Sequence, residues 1–172
     1  MANQEREIGE VLEAMPYGLY IVGSTGESGP NGMTADWVTQ VSFKPRLICI
    51  ALEDDAQTLA NIRLTGSFTV NFLGEGAKGM AIARRFAAPY RRSKVGGPLA
   101  HGVHEKLAHE AYVLTARCCP ILEAAIAYLE CAALNLVSAG DHTLVIGSVL
   151  DGRLRTSEVP LTSTYTGWAY SG

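Results

Sequence analysis

Four strand-length apolar runs separated by turn-forming residues constrain this chain more than any other feature. They are residues 17–23 (YGLYIVG), 46–52 (RLICIAL), 67–73 (SFTVNFL) and 143–150 (TLVIGSVL). Each is rich in β-branched or aromatic residues. In the third, Phe68, Val70 and Phe72 alternate and so share one face of a strand. Runs of this length describe a mainly β chain, with room between them only for short helices. Ile8, Val11, Leu12 and Met15 predict a short amphipathic helix over 5–15, which Pro16 can end. The acids at 53–55 read as caps for a helix that continues through Leu59, Ile62 and Arg63 and closes at Gly66. A further short helix is expected at 77–86. Residues 24–32 (STGESGPNG) and 138–142 (SAGDH) read as turns, and 87–102, with Pro89 and Gly96-Gly97-Pro98, as a long loop. Residues 120–137 (PILEAAIAYLECAALNLV) are ambiguous: alanine, leucine and glutamate favour a helix, whereas a strand reading would make 124–150 a hairpin.

The length of 172 residues suits one domain spanning 1–172. The net charge of −3 provides no basic footprint for a nucleic acid. No segment is long and apolar enough for a membrane helix, and the polar start MANQEREIGE is unlike a secretory signal. Cys49, Cys118, Cys119 and Cys131 lack metal-ligand spacing and suit reduced thiols in a cytoplasmic protein. Cys49 and Cys131 fall on expected strands and read as packing residues. Phosphate-loop, dinucleotide-fingerprint, zinc-protease and nucleophile-elbow patterns are all missing from the sequence. Positive charge is nevertheless concentrated: Arg84, Arg85, Arg91, Arg92 and Lys94 fall within eleven positions. This cluster suits either a solvated loop or a site for a phosphate.

One polar segment, 31–42 (NGMTADWVTQVS), lies between two of the strands and supplies hydroxyls, amides and an aromatic. Extended to Pro45, it resembles the signature of the flavin reductase-like family of FMN-binding split β-barrels. The similarity continues in order through Leu47 to Leu52, Thr58, Ile62, Gly66, F-T-V-N at 68–71, Arg85-Phe86-Ala87, L-E-C at 129–131 and G-D-H at 140–142. It covers roughly residues 10–150. Its nearest likeness is to flavoredoxin-like proteins and the flavin domain of flavodiiron proteins. The resemblance implies that 124–150 is a hairpin.

The resemblance further implies FMN, or FAD, bound in a groove at a homodimer interface. Met33, Thr34, Ala35, Asp36 and Trp37 would line the flavin, with Val41 and Ser42 beside them. Ala51, Leu52 and Thr58 would sit near the ring or ribityl chain. Arg85, Phe86 and Lys94 would close the phosphate end. His142, from the G-D-H turn, would act at the flavin or nicotinamide; the residue by itself reads equally as a hydrogen-bonded turn histidine. Trp37 would stack on the ring or pack at the barrel mouth. His101, His104 and His109 read as surface residues. Many family members carry Ser or Asn at the position of Asp36. A carboxylate there must point away from a phosphate or pair with a cation such as Arg84, Arg85, Arg91 or Lys94. The tail from Tyr165 to Tyr170 also departs from the family pattern.

The implied activity is NAD(P)H-dependent flavin reduction, with NADH or NADPH as co-substrate and reduced flavin or electrons passing to a monooxygenase or other redox protein. Two other readings are an electron-transfer flavoprotein that retains FMN and exchanges electrons with a redox protein or ferric iron, and a flavin-binding domain without turnover. An aligned pair of cofactors needs no side-chain acid or base, which agrees with the missing catalytic motifs.

Overall fold

Asp36 and Trp37 join two strands at opposite edges of one sheet. A computed structural model of the chain describes residues 2–87 and 105–168. It contains α1 (Ala2–Glu13), β1 (Tyr20–Gly26), β2 (Gly29–Ala35), β3 (Val38–Ser42), β4 (Leu47–Glu53), α2 (Gln57–Thr65), β5 (Ser67–Phe72) and α3 (Ala77–Ala87). Beyond residue 104 come β6 (Tyr112–Leu114), β7 (Pro120–Leu122), β8 (Ala127–Ala139), β9 (His142–Leu154) and the single-turn α4 (Ser163–Thr166). Seven strands form an antiparallel sheet in the order β2-β1-β5-β8-β9-β4-β3. A flat sheet of seven strands is about 29 Å wide. The link from Ala35 to Val38 spans at most about 11 Å. The sheet therefore curls until its edges approach, and residues 36–37 cross the gap. The result is the expected mainly β split barrel.

Two cores lie on the two faces of β1, as its side-chain alternation requires. Val22 and, less deeply, Tyr20 join the barrel core with Ile50, Leu52, Phe68, Val70 and Val145. Leu19 and Ile21 join an outer core with Leu73, Ile82, Phe86 and Leu122. Asn71 stitches the layers together: its amide donates to the Ile21 carbonyl at 3.1 Å and accepts from the Leu122 N–H at 2.8 Å.

The ambiguous segment is strand. Pairing with β5 on one side and β9 on the other overrides the helical propensity of its alanines. Leu129, Cys131 and Ala133, spaced by two, face the barrel core. Among the described residues, β8 beyond Ala133 and β9 beyond Ser148 pair with no third strand, and Leu134, Leu136, Val137 and Leu154 are exposed there.

Two local expectations are corrected. The turn expected over 24–32 contracts to Glu27-Ser28, because β1 and β2 pair through Gly26↔Gly29; Gly29 takes φ 94°, which glycine allows without strain. The acids before α2 do not cap it: the extended Ala56 precedes the helix, and Asp54 instead accepts from the Thr143 hydroxyl at 2.6 Å. Gly66 does close α2, at φ 67°, with its N–H donating to the Ile62 carbonyl. The amphipathic helix at the start forms, but Val11 and Met15 remain exposed, so its apolar face is not buried within the chain. The loop expected at 87–102 lies, from residue 88 onward, outside the described residues, as do Arg91, Arg92, Lys94, His101, His104 and Tyr170.

Candidate functional site

The crossing at Asp36-Trp37 creates a cavity of about 350 Å³ where the sheet edges meet and the two cores abut. From one edge it receives Met33, Thr34 and Ala35 of β2 with Asp36 and Trp37. From the other it receives Ala51, Leu52 and Glu53 of β4 and His142 of β9. These strands pair in register, Glu53 opposite His142, so both polar side chains arrive at the same rim. The remaining wall is Leu19, Ala87, Ser163 and Trp168. A second cavity, about 660 Å³, lies beyond Trp37 among Leu12, Met15, Tyr17, Val38, Cys49 and Leu144, and shares Asp36, Trp37 and Ala51 with the first.

His142 is positioned from two sides. Its Nδ1 lies 2.7 Å from Asp141 Oδ1, and its ring centroid is 4.9 Å from that of Trp37 at an angle of 39°. The side chain of His142 is 11% exposed and that of Asp141 is 94% exposed, so the carboxylate anchors the imidazole from the solvent side. With Nδ1–H directed at a carboxylate, Nε2 is the nitrogen available to a ligand. The same hydrogen bond lowers the Asp141 pKa. Burial raises that of Asp36, while the N–H groups of Asp36 and Trp37 and the nearby His142 pull the other way. Burial also pushes the Cys49 thiol up, which suits a packing role over a reactive one.

Eight of the residues singled out in the sequence thus come together here: Met33, Thr34, Ala35, Asp36, Trp37, Ala51, Leu52 and His142. Thr34 turns its hydroxyl to the Ala83 carbonyl at 2.7 Å, tying β2 to α3. Five others do not line this cavity. Val41 and Ser42 lie along β3 on the edge beyond it, with Val41 exposed. Thr58 is buried on α2, where its hydroxyl accepts from the Asn31 amide at 3.4 Å. Phe86 is buried in the outer core, behind Gly32. Arg85 forms an ion pair with Glu110. Lys94 is outside the described residues. No lysine or arginine among the described residues lines the cavity; Arg84 comes near, its guanidinium 5.9 Å over the Trp168 ring.

Leu19, Glu53, Ser163 and Trp168 were not singled out in the sequence. The last two arrive because the C-terminal segment runs back beside residues 17–19. The Leu19 N–H donates to the Leu161 carbonyl at 2.9 Å, and the Tyr17 N–H to Ser163 Oγ at 2.9 Å. One local signal marked α4: Thr162 caps it by accepting from the Tyr165 N–H, and Gly167 ends it at φ 67°.

The cavity fits a flat heteroaromatic ring. Its volume lies near the lower end of the ~300–1,000 Å³ usual for ligand pockets, its walls are Met33, Ala35, Trp37, Ala51 and Leu52, and its hydrogen-bonding groups are few. It does not by itself fit a phosphate, whose oxygens would meet Asp36 and Glu53 without a lining cation.

A split barrel with an apolar slot at the seam of its sheet defines a flavin-binding class of protein. Residues 12–169 match the flavin reductase like domain family, and the chain belongs to that family. It is 31% identical to a flavin reductase (NADH) of Kitasatospora aureofaciens over 94% of this chain and 78% of that one. It is 30% identical to diflavin flavoprotein A 3 of a Nostoc strain over 92% of this chain but only 26% of that one. Among solved structures, the NADH:FAD oxidoreductase of Streptomyces globisporus C-1027 superposes with a TM-score of 0.77 at 26% identity, covering 94% of this chain and 90% of that one. The flavin reductase component of a bacterial two-component tryptophan halogenase superposes with a TM-score of 0.75 at 26% identity, covering 92% of each chain.

Proposed function

We propose that this chain is an NADH-dependent flavin reductase that takes FMN or FAD as its substrate and hands reduced flavin to a partner oxygenase. The observation that carries this reading is the apolar slot at the barrel seam, walled by Trp37, Ala51 and Leu52 and rimmed by His142, in a chain of the flavin reductase like family. When bound, a flavin and a nicotinamide together supply hydride transfer from nicotinamide C4 to flavin N5. The protein's part is to bind, orient and exclude water. Met33, Ala35, Trp37, Ala51 and Leu52 hold the ring. His142, fixed by Asp141, presents Nε2 at the rim as the residue that acts on the reacting pair. The phosphate is met from the α3 end, where Arg84 approaches Trp168.

The chain works as a single domain and as a homodimer, whose second copy covers the exposed apolar residues Leu134, Leu136 and Val137 of the β8–β9 hairpin. Its four free cysteines support a cytoplasmic setting. Among the described residues no helix is long and apolar enough to cross a membrane.

The deciding experiment is anaerobic mixing of the purified chain with flavin and NADH, then NADPH. Rapid catalytic bleaching of added FMN or FAD by NADH is the expected result. A protein that binds no flavin refutes the reading. One that keeps its flavin through purification and does not oxidise NADH fits an electron-transfer flavoprotein instead. His142→Ala should slow single-turnover reduction by about tenfold or more while changing flavin affinity less. Unchanged reduction would remove His142 from the chemistry.

A further inference from the structure

Among the described residues, the charge around the cavity is one-sided. Asp36 sits on the crossing and lines both cavities, and Glu53 lines the first beside it. Asp141 stands behind His142. Among the described residues, the basic groups of neighbouring elements have other partners: Arg85 pairs with Glu110, Lys106 donates to the Phe86 carbonyl and Arg63 donates to the Thr143 hydroxyl. Arg84 is the exception, lying over the lining residue Trp168 at the end assigned to the phosphate. The one basic side chain among the described lining residues is His142, already bonded to a carboxylate.

Hydride transfer has a charge consequence. One proton and two electrons leave the nicotinamide, which becomes a cation, and arrive on a neutral flavin ring, which becomes an anion. No other reactant is needed. We propose that Asp36 makes this site bind oxidised flavin in preference to reduced flavin, so that the reduced product is expelled to diffuse to its acceptor. The proposal rests on the reductase reading and specifies which redox state that site favours. Its physical basis is repulsion between like charges in a partly desolvated slot. At an effective dielectric near 20, charges about 7 Å apart alter an equilibrium by more than about tenfold. Burial raises the Asp36 pKa, while backbone N–H groups of Asp36 and Trp37 bond to its side chain, oppose that shift and hold the carboxylate at the crossing.

The test is equilibrium binding rather than turnover. Flavin-free protein is titrated anaerobically with oxidised FMN and with dithionite-reduced FMN, for the wild type and for Asp36→Asn, Asp36→Ser and Asp36→Glu. The wild type should bind oxidised FMN more tightly. Asp36→Asn and Asp36→Ser should tighten reduced FMN by about tenfold while changing oxidised FMN by about twofold or less. The potential of bound flavin then rises by about 30 mV per tenfold. Asp36→Glu keeps the charge and should keep the wild-type preference. The proposal is overturned if the wild type binds reduced FMN as tightly as oxidised FMN, or if the neutral variants leave the ratio unchanged. Should either neutral variant lose its thermal unfolding transition, the other variant and the wild-type ratio still decide. Flavin reduction by NADH with an unchanged ratio overturns this inference alone. A wild type that binds neither form overturns the reductase reading with it.

Discussion

The cavity's two walls are built differently. Ala51, Leu52 and His142 stand on β4 and β9, which pair with each other and are backed by Ile50, Phe68 and Val145 of the barrel core. Leu19, Ser163 and Trp168 stand on chain segments from opposite ends of the sequence, joined by main-chain bonds such as Ser163 N–H to the Tyr17 carbonyl at 2.8 Å. One wall inherits its position from the fold itself. The other is assembled on top of it. A change in the first should therefore be read in folding, and a change in the second in ligand affinity.

Phe68→Ala is the strongest test on the barrel side. Phe68 is fully buried, and its ring lies against Gly147, where a Cβ would come within 2.5 Å of Phe68 Cζ. Truncation should cost about 3–5 kcal/mol in denaturant unfolding. A variant of near-normal stability that fails only to bind flavin would break the contrast between the walls. Trp168→Ala tests the other side. It should weaken flavin binding by about tenfold, about 1.4 kcal/mol, while moving stability by less than about 1 kcal/mol. Isothermal titration paired with thermal melts would show the split; equal losses in both would mean that the C-terminal segment belongs to the core.

The same contrast separates what the sequence disclosed from what it hid. The barrel wall was legible, because Ile48, Ile50 and Leu52 alternate and so betray a strand. The segment from Met33 to Trp37 stood out through its resemblance to the family signature. The outer wall was not legible. Ser163 reaches the site through a bond to Tyr17, 146 positions away, and Trp168 follows on the same segment; no local periodicity encodes such a return. The alanines of β8 left that segment ambiguous for a related reason: propensity is local, whereas pairing with β5 and β9 is not. Gly32 reads as a turn former, yet it lies inside a strand, as Gly23 does. They are small because Thr69 and Pro120 crowd Gly23, and Phe86 crowds Gly32.

The link between the walls can be loosened gently. Thr34 Oγ1 donates to the Ala83 carbonyl, tying the edge of the barrel to α3 and the outer core. Thr34→Val keeps the shape and removes the bond. It should cost about 1 kcal/mol, with faster hydrogen exchange in α3 than in β4. Uniform acceleration across both would show that the two walls open as one unit.

Asp36→Asn should have the smallest effect on stability, and an opposite sign. Burial holds the Asp36 pKa above the ordinary value of 3.8. As pH rises past that value, the unfolded chain gives up its proton first, so the folded state carries the excess proton and loses stability until its own pKa is passed. The carboxylate is therefore a net cost at pH 7, one that fades toward pH 4. Asp36→Asn should unfold at slightly higher denaturant than the wild type at pH 7, and the difference should shrink as pH falls toward 4. A gain of the same size at both pH values would place its origin in packing rather than charge. A loss at pH 7 would mean that the Asp36 and Trp37 amides repay the desolvation in full. The stability profile tests this cost of the Asp36 carboxylate without a flavin present.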